Sequence, residues 1–259
     1  MNESQLRKVL SSLPLGDLRY FDSIGSTNDG AMAWASQGAP DLSMVIADEQ
    51  TAGRGRSNRK WFTPPSSALA ISLILRPSAN ELAYPAHITG LGALAIADSL
   101  RSLGLDPKIK WPNDVLIHGR KVAGILVEST WSGHVLTASV LGMGVNVLTD
   151  SVPPKDETLF PATCIEAELG RSLDRVELLR EITTAIIKWR KKLGEDEFID
   201  AWEGALAFYG EQVQITSDYQ GSQTGEMIGL SLDGSLILRK PDGNLEELQF
   251  GEIHLRPAL

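Results

Sequence analysis

The apolar positions of this chain change their period several times, and each change marks a different kind of element. Residues 18–22, 44–48 and 68–75 are short runs of alternating or continuous apolar residues, the length and pattern of strands. Ser26, Thr27 or Asn28 precedes an alanine-rich stretch that reads as a helix to about residue 36, and capping alone accounts for any one of these polar residues. A short helix is expected over 3–11. Residues 85–103, rich in Ala, Leu and Ile with no internal proline, read as a helix buried around most of its circumference. Two strands are expected near 114–118 and 121–129, joined by a tight turn at His118-Gly119-Arg120. A turn over Trp131-Ser-Gly-His134 then leads into an apolar strand over 135–141, which ends in Gly142-Met-Gly-Val-Asn146.

Residues 148–162 contain Pro153, Pro154 and Pro161 among several acids and read as a loop. Leu179, Ile182, Ile186, Trp189 and Leu193 then recur at helical spacing, with Asp174 and Glu177 placed as a capping box and Gly194 as the stop. These residues are core. A second helix is expected over 195–207. After Tyr209-Gly210 the pattern becomes short alternating strands, with turn signals at Asp233-Gly234 and over 241–244. The expectation is an α+β chain: a mixed sheet with packed helices over 1–208, and a small β-barrel over 209–259.

Composition narrows the class. At 42% hydrophobic and 22% charged residues the chain is of ordinary globular make-up, and its net charge of −9 disfavours a nucleic-acid backbone as main partner. One cysteine, Cys164, excludes an internal disulfide, and the four histidines lack metal-ligand spacing. No apolar secretory core or transmembrane run is present, so a cytoplasmic location is expected.

Against that acidic background, Glu49-Gln-Thr-Ala-Gly-Arg-Gly-Arg-Ser-Asn-Arg-Lys-Trp61 is a cationic exception lying between two strands. Gly53 and Gly55 allow close backbone approach, and Arg54, Arg56, Arg59 and Lys60 suit a carboxylate or phosphate. Taken alone, the loop is equally well a solvated basic turn. Two more segments set glycine beside functional groups: 110–124, where Pro112 shapes the chain and Gly124 interrupts a strand, and 142–146.

Together with Ser26-Thr-Asn28, these segments resemble the biotin protein ligase family. The motifs Gln50-Thr-Ala-Gly-Arg-Gly-Arg56, Arg59-Lys-Trp61, Lys110-Trp-Pro-Asn-Asp114, Arg120-Lys-Val-Ala-Gly-Ile-Leu-Val-Glu128 and Gly142-Met-Gly-Val-Asn146 occur in that family's order. Gly251-Glu-Ile-His-Leu-Arg256 is similar to its last strand, so the resemblance spans about 18–259. It implies a biotin–lipoate ligase fold of class II synthetase-like type, with an SH3-like barrel at the C-terminus. It also implies the joining of biotin and ATP into biotinyl-5′-adenylate, then transfer to a lysine of a biotin carboxyl carrier protein. Lipoate or octanoate ligation, a non-catalytic adenylate-binding protein and a nucleic-acid-binding module are the rival readings.

Carried over from the resemblance, Ser26, Thr27, Asn28, Gln50, Gly53, Arg54 and Gly55 would surround biotin, with Gly124 letting its rings lie against the strand. Arg56, Lys121 and Lys110 would act on the biotin carboxylate and the α-phosphate. Arg59, Lys60, Trp61, Asn113 and Asn146 would serve the nucleotide, and Asp114 would hold magnesium. Trp111 reads as core. Position 58 is Asn where the family often has glycine, and Asn tolerates the left-handed backbone such a loop requires. The residues before Leu18 are too few for the helix-turn-helix of the family's repressor members, so no DNA binding is expected. An exposed sheet edge is compatible with a homodimer.

Overall fold

In the computed structural model the described residues are 1–133, 135–154, 158, 160–217, 221–249 and 253–257. The side chains at 58, 79, 80, 132, 217, 221, 222 and 253–257 lie outside that description, as do His134 of the expected turn and Gly251 and Glu252 of the expected last strand. In chain order the first elements are α1 (Glu3–Leu10), β1 (Leu18–Ile24), α2 (Thr27–Ser36), β2 (Ser43–Gln50) and β3 (Ala68–Leu75). There follow α3 (Ala79–Ala83), α4 (His87–Ser102), β4 (Pro107–Lys110), β5 (Asp114–Ile117), β6 (Arg120–Ser132) and β7 (Val135–Asn146). Next are α5 (Ile165–Leu169), α6 (Arg175–Arg190) and α7 (Asp196–Gly204). The chain closes with β8 (Gln212–Ser217), β9 (Gly221–Leu230), β10 (Leu236–Arg239), β11 (Leu245–Leu248) and β12 (Ile253–Pro257).

Seven strands form one sheet in the order β1-β2-β3-β7-β6-β5-β4. β1 and β2 are parallel, joined through α2, and the remaining pairs are antiparallel, so the sheet is mixed. Strand residues alternate between faces, and the two faces differ sharply in side-chain size. Met44, Ile46, Leu69, Ile71, Leu73, Leu141, Met143, Val145 and Ile125 point one way, into a core shared with α4 and α6. On the other face the paired rows run Ala47–Ala70–Gly144–Gly124 and Val45–Ser72–Gly142–Leu126. α2 covers one end of this small-residue face through Ala31, Trp34 and Ala35, packed on Val45, Ile74 and Val140.

The structure departs from the sequence expectation in several places. β7 runs on to Asn146, so Gly142 and Gly144 lie within a paired strand and not beyond its end. β4, α3 and α5 have only four or five residues, too short for a periodic signal. Asp174 does cap α6, but by accepting from Val176 N–H; the reciprocal capping box occurs instead at Ser78 and Glu81, ahead of α3. The tight turn at 118–119 is as expected, with both His118 and Gly119 at positive φ.

The C-terminal strands form a second, antiparallel sheet in the order β11-β10-β9-β8-β12. Its Val213, Ile215, Met227, Leu236 and Leu238 belong to the same buried cluster as the large-residue face of the first sheet. The joint is made around the β9–β10 turn. Trp111, buried as expected, donates from Nε1 to Gly234 O at 3.1 Å, and His87 Nε2 lies 2.9 Å from Leu232 O. Gly234 also faces the Trp202 ring so closely that a Cβ there would lie 2.8 Å from it. No helix among the described residues is long and apolar enough to cross a membrane.

Burial pushes the His87 imidazole below its ordinary value of 6.5, outweighing the opposing bond to Leu232 O and the charge of Asp233. The folded state therefore takes up this proton less readily than the unfolded chain does. Its contribution to stability is present above 6.5 and is lost as pH falls through the lower folded value. Urea-unfolding midpoints should decline between about pH 7 and pH 5, and decline less in His87→Gln. An equal decline in both proteins would remove His87 as the cause.

Candidate active site

The cationic loop is a closed hairpin. Trp61 N–H donates to Gly53 O at 2.9 Å, Gly55 N–H donates to Arg59 O at 2.7 Å, and Arg54 pairs with Lys60 between them. Gly53 is needed for this closure, because a Cβ there would lie 2.4 Å from Trp61 O. The Gly55 N–H is thus used within the loop. The left-handed residue at the tip is Ser57 (φ 54, ψ 41), one position before the Asn58 singled out from the sequence.

Behind the hairpin lies a buried polar cluster. Ser26 occupies the N-cap position of α2, but its side chain makes no capping bond. Gln50 takes that part from the end of β2: its Oε1 accepts from Thr27 N–H at 2.8 Å and from Thr27 Oγ1 at 3.1 Å. Gln50 Nε2 donates to Thr63 Oγ1 at 3.1 Å, where the loop returns to the sheet. Ser72, wholly buried in β3, offers its hydroxyl hydrogen to Thr27 Oγ1 and Asn28 Oδ1 at 2.8 and 2.6 Å. Asn28 Nδ2 donates to Glu128 Oε2 at 2.8 Å, and Arg54 grips Glu128 through Nη1 and Nη2 at 3.0 and 2.8 Å. Asp29 Oδ1 accepts from Arg54 Nη2 at 2.6 Å. The Glu128 bond first, and the neighbouring charges after it, hold the Arg54 guanidinium above the ordinary arginine range.

The second half of the site is built on β5 and β6. Lys121 Nζ lies 2.5 Å from Asp114 Oδ1, and Lys110 Nζ lies 3.7 Å from Asp114 Oδ2. Arg56 crosses from the hairpin to donate to Asn113 Oδ1 at 3.1 Å, while Asn113 itself is fixed by its Nδ2 bond to Ile125 O. Residues 161–163 run beside Lys121: Lys121 N–H donates to Pro161 O, Thr163 N–H to Lys121 O, and Asn146 Nδ2 to Thr163 O. Glu168 secures both flanks of this strip, accepting from Arg120 at 2.6 Å, from Thr163 Oγ1, and meeting His118 Nδ1 at 2.9 Å. Burial acts to raise the Glu168 carboxyl, yet the bonds from Thr163 and His118 and the Arg120 charge bring it below its usual range.

Trp61 joins the two halves. Its indole lies across the paired Gly124 and Gly144, where added Cβ atoms would approach it to 3.1 and 2.2 Å, and Lys121 Nζ stands 5.3 Å from its ring centre. The strip of sheet expected to carry biotin's rings is therefore covered by this indole. Its buried Nε1–H has no hydrogen-bond partner among the described residues.

Of the residues singled out from the sequence, Ser26, Thr27, Asn28, Gln50, Gly53, Arg54, Arg56, Trp61, Lys110, Asn113, Asp114, Lys121, Gly124 and Asn146 converge on this one face. Arg59 and Lys60 are exposed on the hairpin's returning arm. Asp114, expected to hold magnesium, instead lies between two ammonium groups. A divalent cation there would displace Lys121 and be repelled by both lysines, so the donor set does not suit a resident metal. Sequence reading missed Ser72, Thr63, Asp29, Glu128 and Glu168 as members of the network. Glu128 alone stood inside a quoted motif.

Comparison with known proteins agrees with this geometry. Residues 20–146 match the model of the biotin/lipoate A/B protein ligase family. The chain is 37% identical to the biotin–[acetyl-CoA-carboxylase] ligase of Paracoccus denitrificans, over 83% of this chain and 92% of that protein. It is 30% identical to the bifunctional ligase/repressor BirA of Bacillus subtilis, over 98% of this chain and 79% of the relative. Among solved structures it is similar to the biotin protein ligase from Aquifex aeolicus in complex with biotin and ATP. The TM-score there is 0.80 at 27% identity, covering 93% of this chain and 99% of the other. The chain belongs to the biotin/lipoate A/B protein ligase family, in its biotin protein ligase group.

The seating of Trp61 on paired glycines is open to test. Gly144→Ala should push the indole off the sheet and raise acrylamide quenching of tryptophan fluorescence, while the unfolding midpoint changes by less than about 2 kcal/mol equivalent. No rise in quenching, or the same rise in a Trp61→Phe background, would show that the indole does not rest there.

Proposed function

We propose that this chain is an ATP-dependent biotin ligase, which activates biotin as biotinyl-5′-AMP and passes it to a lysine of a biotin carboxyl carrier protein. One observation carries the reading. Lys121, Lys110 and Arg56 converge beside a glycine-floored strip that leads to the buried polar cluster of Thr27, Asn28, Gln50 and Ser72. A neutral polar head group suits the hydrogen-bonding groups of that cluster, a flat apolar body suits the strip, and an anion suits the cations at its end. Biotin has those three parts in that order.

In the first step a biotin carboxylate oxygen bonds to the α-phosphorus of ATP, and the bond from that phosphorus to the bridging oxygen of pyrophosphate breaks. Both reactants are anionic. Two unit charges 4 Å apart repel by about 4 kcal/mol at a surface-like dielectric, so cations fixed beforehand lower the barrier by offsetting that repulsion. Lys121 and Arg56 would stand at the meeting point and Lys110 beside it. Lys121 is an ammonium held at short range by Asp114, and can transfer from that carboxylate to the substrate's. Thr27, Asn28 and Gln50 would bind the ureido group, with Ser26 and Arg54 at the cluster's edge. Arg59, Lys60, Asn113 and Asn146 would serve the nucleotide. Magnesium would arrive on the phosphate oxygens of ATP, which is its usual mode of binding.

In the second step the carrier lysine's amine attacks the acyl carbon, and the bond from that carbon to the AMP oxygen breaks. Trp61 would leave the glycine strip and cover the adenylate, keeping water from the anhydride. Residues 1–208 would form the catalytic unit, with 209–259 as an SH3-like unit packed against it.

Pyrophosphate release from ATP and Mg²⁺ should depend on biotin and not on lipoate, and label should then pass to a lysine of an added carboxyl carrier domain. Arg56→Ala and Lys121→Ala should each lower adenylate formation by about 100-fold or more with circular dichroism unchanged. Near-normal release by both variants would remove their assigned roles. Release driven by lipoate alone would keep the mechanism and change the substrate.

A further inference from the structure

Glu128 and Asp29 have no part in the chemistry above, yet both engage Arg54. We propose that Glu128, assisted by Asp29, is a positioning residue that seats the 53–61 hairpin on the sheet and links its placement to occupancy of the Thr27–Asn28–Gln50 cluster. The proposal takes the identity of the cluster's ligand from the biotin-ligase reading; the contacts themselves do not depend on it.

The Arg54–Glu128 contact is a two-point fork, with each guanidinium nitrogen on its own carboxylate oxygen at 3.0 and 2.8 Å. That arrangement fixes orientation as well as distance, which a lysine ammonium cannot do. All three side chains keep substantial solvent contact: Arg54 is 39% exposed, Glu128 26% and Asp29 63%. An ion pair so exposed adds little to overall stability. What it specifies is position. The hairpin is bonded to itself at Gly53–Trp61 and Gly55–Arg59, so it moves as one piece, and Arg54 attaches it on the β6 side just as Arg56 attaches it at Asn113.

The connection to the cluster runs through one oxygen. Glu128 Oε2 accepts from both Arg54 Nη2 and Asn28 Nδ2 at 2.8 Å. From Asn28 the hydrogen bonds continue through Ser72 and Thr27 to Gln50, and Gln50 reaches Thr63 at the far end of the loop. The loop is therefore held at Arg54 and at Thr63 by the two ends of one polar chain. A ligand that takes hydrogen bonds from Thr27, Asn28 or Gln50 alters what Glu128 offers to Arg54. It thereby shifts the hairpin that carries Trp61 and Arg56.

Glu128→Gln and Asp29→Asn test this in the full-length chain, since neither carboxylate is assigned a contact with the ligand. Each should raise the KM for biotin in pyrophosphate release about tenfold while kcat stays within about threefold. In ligand-free protein, amide hydrogen exchange across 53–61 should become about tenfold faster in both, with exchange in β3 and β7 unchanged. Unchanged loop exchange together with unchanged KM would overturn the proposal, as would a fall in kcat at constant KM. If Glu128→Gln fails to unfold cooperatively, Asp29→Asn, altered only at an exposed carboxylate of α2, decides alone. Wild-type protein that shows no biotin-dependent release would refute the ligase reading, and the exchange measurement would still judge the Glu128 contact.

Discussion

The site exists because one sheet has a face of large side chains and an opposite face with a strip of alanine and glycine across it. The first face, through Met44, Ile46, Ile71, Leu141 and Met143, buries apolar surface against α4 and α6 and supplies most of the driving force for folding. The second face, along Ala47, Ala70, Gly144 and Gly124, buries little by itself and leaves a shallow strip on which a flat group can lie. Strand periodicity ties the two together: a one-residue slip of β7 would turn Met143 and Val145 onto the strip and Gly144 into the core. The ten-residue pairing of β6 with β7 makes that slip expensive, and so the glycine floor is held in register by core packing on its reverse side.

Charge is managed by the same economy of placement. The chain is acidic overall, yet its cations of interest are grouped, and each group is held by carboxylates: Asp114 between Lys121 and Lys110, Glu128 and Asp29 on Arg54. Clustered cations repel one another, and a carboxylate among them relieves that repulsion in the absence of an anionic ligand. An incoming carboxylate or phosphate then exchanges one anion for another at Lys121, which costs far less than assembling the positive charge anew. This is also why Asp114 makes a poor resident metal ligand. Its place between two ammoniums is already the solution to an electrostatic problem.

Much of this was legible in the sequence, and the parts that were not share a cause. Strands and helices long enough to show a period were readable, as were the core stripe of α6, the 118–119 turn and the cationic loop. Gly142 and Gly144 looked like a strand end because glycine ordinarily weakens strands; their partners on β3 and β6, which keep the strand going, are remote in sequence. Ser72 drew no notice within the strand run 68–75, because its acceptors Thr27 and Asn28 are more than forty residues away. Capping was the natural explanation for Ser26-Thr-Asn28, and it failed because Gln50 reaches in from another element to take the first helical N–H. Asn58 attracted attention for its tolerance of left-handed backbone, whereas closure of the hairpin puts that demand on Ser57. Local rules predict local bonds; the contacts that tie Thr27 to Gln50 and Asn28 to Glu128 join residues 23 and 100 positions apart.

Trp61 shows what such long-range closure leaves unsettled in energy. Its indole gains dispersion contact by lying on Gly124 and Gly144, and its face meets the Lys121 ammonium, both favourable. Against these stands the buried Nε1–H without a partner among the described residues, a penalty of about 1–3 kcal/mol. The penalty offsets part of the gain. On the proposed reading, a ligand that covers the same glycines would replace the dispersion contact and remove the penalty by freeing the indole N–H. Part of the differential affinity needed to shift the hairpin would then come from the strip itself, because the indole displaced from it is held with a buried N–H that lacks a partner among the described residues.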